Sequence, residues 1–207
     1  MDGNNRIFCF CTCAEKHHEI YLKRIENWYH MLKNFNEDID FFVANDGKIS
    51  ADELNNLNNV NITFFNFTPI LGRITCGNFP GYRRSFGQMM NEALNRGYDY
   101  VIHIENDVQV INFDKIRPYL RKKGLYASFN QRYNFIESAF LILNDKNAIE
   151  TLRDMLNDKT SLYSEVYFEH QLQKMLNFNY PFISYRKNEQ NPIDNADFIC
   201  QSQGRGY

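Results

Sequence analysis

The chain has 207 residues, 43% of them hydrophobic and 15% aromatic, enough for a sizeable core. A net charge of -2 excludes a protein that binds nucleic acid mainly through phosphates, and the basic clusters Arg83-Arg84 and Arg121-Lys122-Lys123 are short. No apolar run approaches a membrane span, so no transmembrane segment is expected.

The N-terminus enters a strand, residues 6–13, without the apolar core of a signal peptide. A soluble, cytoplasmic protein is expected, with peripheral membrane association left open. Cys9, Cys11 and Cys13 share one face of that strand. Five cysteines without zinc spacing read as small buried hydrophobes of a reducing compartment.

Residues 15–35 carry Leu22, Ile25, Trp28 or Tyr29, Leu32 and Phe35 at helical spacing. Residues 40–44 read as a second strand, closed by the turn Asn45-Asp46-Gly47. Ser50 is placed as the N-cap of a short helix, and residues 60–67 form a third strand. The loop 68–82 holds Pro69, Gly72, Gly77, Pro80 and Gly81; its length suggests function or mobility. A helix over 82–96 follows. Its Arg84, Gln88 and Asn91 form one polar stripe, and Phe86, Met90, Ala93 and Leu94 face the core.

Tyr98-Asp99-Tyr100-Val101-Ile102-His103-Ile104 then reads as a strand buried on both faces, ending in Glu105-Asn106-Asp107. Residues two apart on a strand point the same way, so Glu105 and Asp107 project together from its C-terminal end. In an open α/β sheet that end is where ligands bind. Two carboxylates at one point repel unless a cation sits between them. Magnesium or manganese, sharing its shell with phosphates and water, fits such oxygen donors. The other reading is that both acids are solvated where the strand meets a loop. His103 reads as a core histidine.

The second half is less regular. Residues 113–123 look helical despite Pro118, 125–129 and 137–143 look like strands, and 148–157 and 164–176 like helices. The tail 177–207 reads as loop-rich, able to fold over a ligand, with Arg205 near its end. Strands alternating with helices imply an α/β fold with a doubly wound, mixed but mostly parallel sheet and helices on both faces. One domain is expected over 1–207, with a nucleotide-binding half over about 1–110 and an acceptor half after it.

Phe42-Val43-Ala44-Asn45-Asp46-Gly47-Lys48 resembles the turn after the second strand of GT-A glycosyltransferases. Asn91-Glu92-Ala93-Leu94, Gly97-Tyr98-Asp99-Tyr100-Val101 and Glu105-Asn106-Asp107 resemble their helix, strand and D-x-D tip, in the family's order. The likeness covers roughly residues 6–110. It implies a nucleotide sugar over the strand ends and manganese or magnesium on Asp107 and Glu105. Glu105 departs from the usual first Asp of D-x-D. Thr12 and Asp46 match nucleoside-holding positions. Arg84, Gln88, Asn91, Glu105 and Asn106 complete the implied donor site. Met90 stands where the family has Arg, so Arg84, or Arg83 in its place, is the substitute. The late segment with Glu165 and Phe168-Glu169-His170 resembles the family's acidic pair, leaving the catalytic base open between Glu169 and His170.

The implied activity is metal-assisted transfer of a sugar from a nucleoside diphosphate sugar to a hydroxyl acceptor, glycan, lipid-linked or protein-linked. The alternatives are a nucleotidyltransferase and a non-catalytic nucleotide-sugar binding module. The first would want a Gly-rich, basic phosphate loop, which Cys11-Thr12-Cys13-Ala14-Glu15 is not.

Overall fold

The computed structural model describes residues 4–13, 18–46, 50, 52–53, 57, 60–75, 78–131, 134–186 and 195–200. Strand β1 (Asn4–Cys13) leads to helix α1 (His18–Lys33), strands β2 (Ile39–Asn45) and β3 (Ile62–Asn66), helix α2 (Pro80–Asn95) and strand β4 (Tyr98–Ile104). These four strands pair in parallel in the order β3-β2-β1-β4. β1 runs through the middle, with residues 7–11 buried on both sides. Its alternating side chains divide between two cores. Ile7, Cys9 and Cys11 pack with Tyr21, Ile25, Trp28 and Leu32 of α1. Phe8 and Phe10 pack with Phe86, Met89, Met90 and Ala93 of α2. Each such fully buried side chain contributes about 1.5–3 kcal/mol relative to exposure. Helices therefore cover both faces, the doubly wound arrangement expected from the sequence.

The second half begins with β5 (Val108–Val110) and a single helical turn, α3 (Phe113–Ile116), which tightens to a 3-10 turn at Arg117–Tyr119. β6 (Gly124–Asn130), β7 (Phe135–Ile136) and β8 (Phe140–Asn144) follow, then helices α4 (Lys146–Asn157), α5 (Lys159–Leu162) and α6 (Phe168–Met175), and strands β9 (Asn179–Phe182), β10 (Ser184–Arg186) and β11 (Phe198–Cys200). β8 joins β4 antiparallel, β6 joins β8 and β7 antiparallel, and β9 lies parallel to β6. The large sheet is thus mixed. β10, β11 and β5 make a second, small sheet. Gly87 lets α2 approach α4 closely: a Cβ there would sit 2.9 Å from the Leu156 Cβ. No described helix is long and apolar enough to cross a membrane.

Several elements differ from the sequence reading. The helix expected over 113–123 stops after one turn and a 3-10 turn. Pro118 has no N–H to donate, and the Asn144 side chain takes the carbonyls of Tyr119, Leu120 and Lys122. The strand expected from 137 starts at Phe140, because 138–139 form a turn. The helix expected from 164 starts at Phe168. The tail contributes three strands, one of which, β11, pairs antiparallel with β5. Ser50 does cap, reciprocally with Glu53: its Oγ accepts from Glu53 N at 3.2 Å and its N donates to Glu53 Oε2 at 2.9 Å. Arg205 and the Cys13 side chain lie outside the described residues.

Candidate active site

β4 ends at Ile104, one residue before the acids. The Val108 N–H donates to Glu105 O at 3.1 Å and closes a turn. Glu105 and Asp107 therefore project from a tight turn, not from a continuing strand. Two hydrogen bonds and a strand pairing fix that turn. Trp28 Nε1 on α1 donates to Ile104 O at 2.9 Å. Glu105 N donates to Ala139 O at 2.9 Å, and β11 pairs with the outgoing β5. Asn106 and Asp107 are half-buried.

The Glu105 carboxylate meets two partners from neighbouring strands. Thr12 Oγ1, at the C-terminal end of β1, donates to Oε1 at 3.4 Å. His103 Nε2 lies 3.5 Å from the same oxygen. His103 is fully buried, and burial pushes its pKa down to about 3. Its Nδ1 lies 2.9 Å from Ser138 O, an acceptor, so Nδ1 carries the proton. Nε2 is left as a lone pair without a hydrogen-bond partner. Among the described residues no group of three or more His, Cys, Asp or Glu side chains is arranged to hold a metal. The turn itself supplies two carboxylates, Glu105 and Asp107.

Asp46, at the end of β2, is turned inward, its side chain without exposure. Oδ2 accepts from Gly72 N at 2.6 Å, and Oδ1 from Leu71 N at 3.3 Å and from Arg84 Nη2. Arg84 Nη2 also donates to Pro69 O at 2.8 Å. One carboxylate thus ties the loop 68–79 and helix α2 to the sheet edge. Gly81 is required beside it, since a Cβ there would overlap the carboxylate. Further along the polar stripe, Gln88 Nε2 donates to Glu92 Oε1 at 3.1 Å, and Asn91 is half-buried.

Arg83 points the other way. It is fully buried and donates to Ser161 O, to Val166 O and to Gln171 Oε1, fastening the α5–α6 connection to α2. Burial pushes its pKa down, and the nearby Glu169 carboxylate pulls it back up. Glu169, in the first turn of α6, accepts from Ser138 Oγ at 2.7 Å. Its neighbour His170 is exposed and sits edge-on to Phe135, ring centroids 5.5 Å apart. Tyr82 lies near both acids. Its ring packs against His103 (6.1 Å) and Phe168 (5.3 Å). Burial, then the Glu105 and Glu169 charges, raise its pKa well above the ordinary value. Its hydroxyl is buried with no hydrogen-bond partner, and the neighbouring Ser138 side chain pulls the pKa part of the way back down.

The structure thus brings Thr12, Glu105 and, through Tyr82, Glu169 to one edge. Asp46 and Arg84 form a separate pair, and Gln88 and Asn91 remain on the helix face. Tyr82, Ser138 and the locking role of Arg83 went unrecognised in the sequence. Only the adjacency of Tyr82 to the Arg pair hinted at the first. A concavity of about 510 Å³ borders Ile111–Lys115 and Asn195–Asp197 and includes none of these acids.

No protein-family model matches the sequence, and no curated protein matches it. Solved structures do. The galactosyltransferase LgtC, crystallised with donor and acceptor sugar analogs, matches with a TM-score of 0.60 at 13% identity, over 96% of this chain and 88% of that one. An active-site mutant of LgtC matches with a TM-score of 0.56 at 12% identity, over 95% and 88%. At such identities the likeness is one of fold, and the fold of this chain is that of a GT-A-like glycosyltransferase.

Proposed function

We propose that the chain moves a sugar from a nucleoside diphosphate sugar to a hydroxyl acceptor. The observation that carries this reading is that one turn, Ser138-Ala139, contacts both Glu105 and Glu169 at the carboxyl edge of a sheet with a glycosyltransferase fold. Asp107 and Glu105 would hold manganese or magnesium, since hard oxygen donors suit a cation that shares its shell with phosphates and water. A cation held by those two acids would supply charge stabilisation for the departing diphosphate.

The protein's own groups divide the remaining work. Thr12 holds Glu105 Oε1, and the Trp28 and Ala139 contacts hold its backbone. Asp46 serves the nucleoside side through the loop it fixes, both of its oxygens being engaged. Glu169, turned inward on Ser138, takes the acceptor's proton, whereas exposed His170 packs its ring beside it.

The test is a thermal-shift screen of nucleoside diphosphate sugars with and without manganese, since a ligand of the native state raises the melting point. Asp107→Ala is expected to abolish the manganese-dependent shift with the fold intact. Equal donor affinity with and without manganese would count against the metal site. Release of nucleoside diphosphate distinguishes a transferase from a binding module, which releases nothing, and from a nucleotidyltransferase, which releases pyrophosphate.

A further inference from the structure

Two hydrogen bonds, the first buried and the second part-buried, run from the strand that bears the acidic turn to the acid on α6. His103 Nδ1, on β4, donates to Ser138 O at 2.9 Å. Ser138 Oγ then donates to Glu169 Oε1 at 2.7 Å. Ser138 lies in the short turn before β8, whose Ala139 carbonyl receives the Glu105 N–H at 2.9 Å. One turn therefore contacts Glu105 through its backbone and Glu169 through a side chain. The His103 ring that holds it is immobilised by Phe10, Phe86 and Tyr82, with centroids 4.8, 4.9 and 6.1 Å away.

We infer that Ser138 is a positioning residue for Glu169, with His103 fixing Ser138 in turn. This rests on the transferase reading above. In that reaction the bond from the sugar carbon to the diphosphate oxygen breaks, and its electron pair leaves on the diphosphate. The acceptor oxygen bonds to the same carbon, and its proton passes to Glu169. A carboxylate on a helix end has free rotation about several bonds. A hydrogen bond to Oε1 fixes the rotamer and leaves Oε2 to receive the proton. Loss of such orientation lowers turnover without weakening donor binding, because misplacement of a reacting group by about 1 Å costs up to about a hundredfold.

The experiment compares Ser138→Ala, Ser138→Thr and His103→Phe with the unmodified chain. The probes are UDP-glucose, UDP-galactose and UDP-N-acetylglucosamine with manganese, and UDP release is measured with water or added sugar as acceptor. Ser138→Ala is expected to lower kcat about tenfold with donor KM unchanged, and Ser138→Thr, which keeps the hydroxyl, to restore most of it. His103→Phe keeps an aromatic ring but removes the Nδ1 donor, and is expected to lower kcat less. Unchanged kcat in Ser138→Ala, or a donor KM rising in step with the lost activity, overturns the assignment. If the unmodified chain turns over no donor, the functional reading fails separately. Crystal structures then decide the positioning role: Glu169 swung away in Ser138→Ala supports it, and Glu169 unmoved overturns it.

Discussion

The parallel half and the antiparallel half of the sheet hold their carboxylates in different ways. In the first, β1, β2 and β4 run side by side and bring Thr12, Asp46 and Glu105 to their C-terminal ends through strand register, which the Trp28 and Arg84 side chains then brace. In the second, Glu169 reaches that edge only because α6 is fastened sideways, by Arg83 to α2 and by Ser138 to the turn before β8. The first half builds position into strand pairing; the second borrows it from side chains. A substitution in the second half should therefore impair chemistry more than folding, and one in the first half the reverse.

Glu169→Gln makes the sharpest form of that contrast. It keeps the size of the side chain and an oxygen to accept from Ser138, and removes the proton acceptor. Turnover is expected to fall by about 10²–10⁴, with the melting temperature and donor affinity nearly unchanged. Steady-state kinetics beside a thermal melt measures both. Normal turnover would move the base elsewhere, and a collapse in melting temperature would make Glu169 a structural residue like those of the first half.

The same contrast explains what could be read from the sequence. Strands of the parallel half are apolar on both faces and bounded by helices with clear periodicity, so β1, β2, α1, α2 and β4 emerge within a few residues. The acidic turn was found because a buried strand ended in charge. The antiparallel half obeys distant partners. Asn144, a single buried amide, ends the 113–123 helix from outside it. The tail strands exist because β6 and β5 offer edges that no local pattern announces, to β9 and β11 respectively. Ser138 is an ordinary serine until the fold sets His103 and Glu169 beside it. Asp46 shows the opposite failure. Its turn was legible, but nothing local signalled that Leu71, Gly72 and Arg84 would take up both carboxylate oxygens.

Asp46→Ala tests the first half. It leaves the Leu71 and Gly72 amides without their acceptor and the Arg84 guanidinium with Pro69 O in place of a carboxylate. Breaking a buried pair on one side costs about 3 kcal/mol, the low end of the usual range because Arg84 keeps some exposure. Chemical denaturation should show the loss, and limited proteolysis should cut within 68–79. A stability within about 0.5 kcal/mol of the unmodified chain, the range of ordinary surface changes, would mean that strand pairing alone holds the edge.

The smallest effect lies where the halves meet. Tyr82→Phe removes a buried hydroxyl that has no partner, and an unsatisfied polar group of this kind costs about 1 kcal/mol or more. The variant is therefore expected to melt higher than the unmodified chain at neutral pH. The pH dependence has a definite sign. Burial and the neighbouring carboxylates raise the folded-state pKa of Tyr82 above its ordinary value of 10.0. Above about pH 10 the unfolded chain releases this proton first, so the stability of the unmodified chain falls as pH rises further. Phenylalanine has no such proton, and the advantage of Tyr82→Phe should widen from pH 10 upward. Melting curves at pH 7 and pH 10.5 measure both effects. A lower melting temperature for the variant at pH 7 would show that the hydroxyl does contribute to the fold, and that the junction between Glu105 and Glu169 is bonded through it.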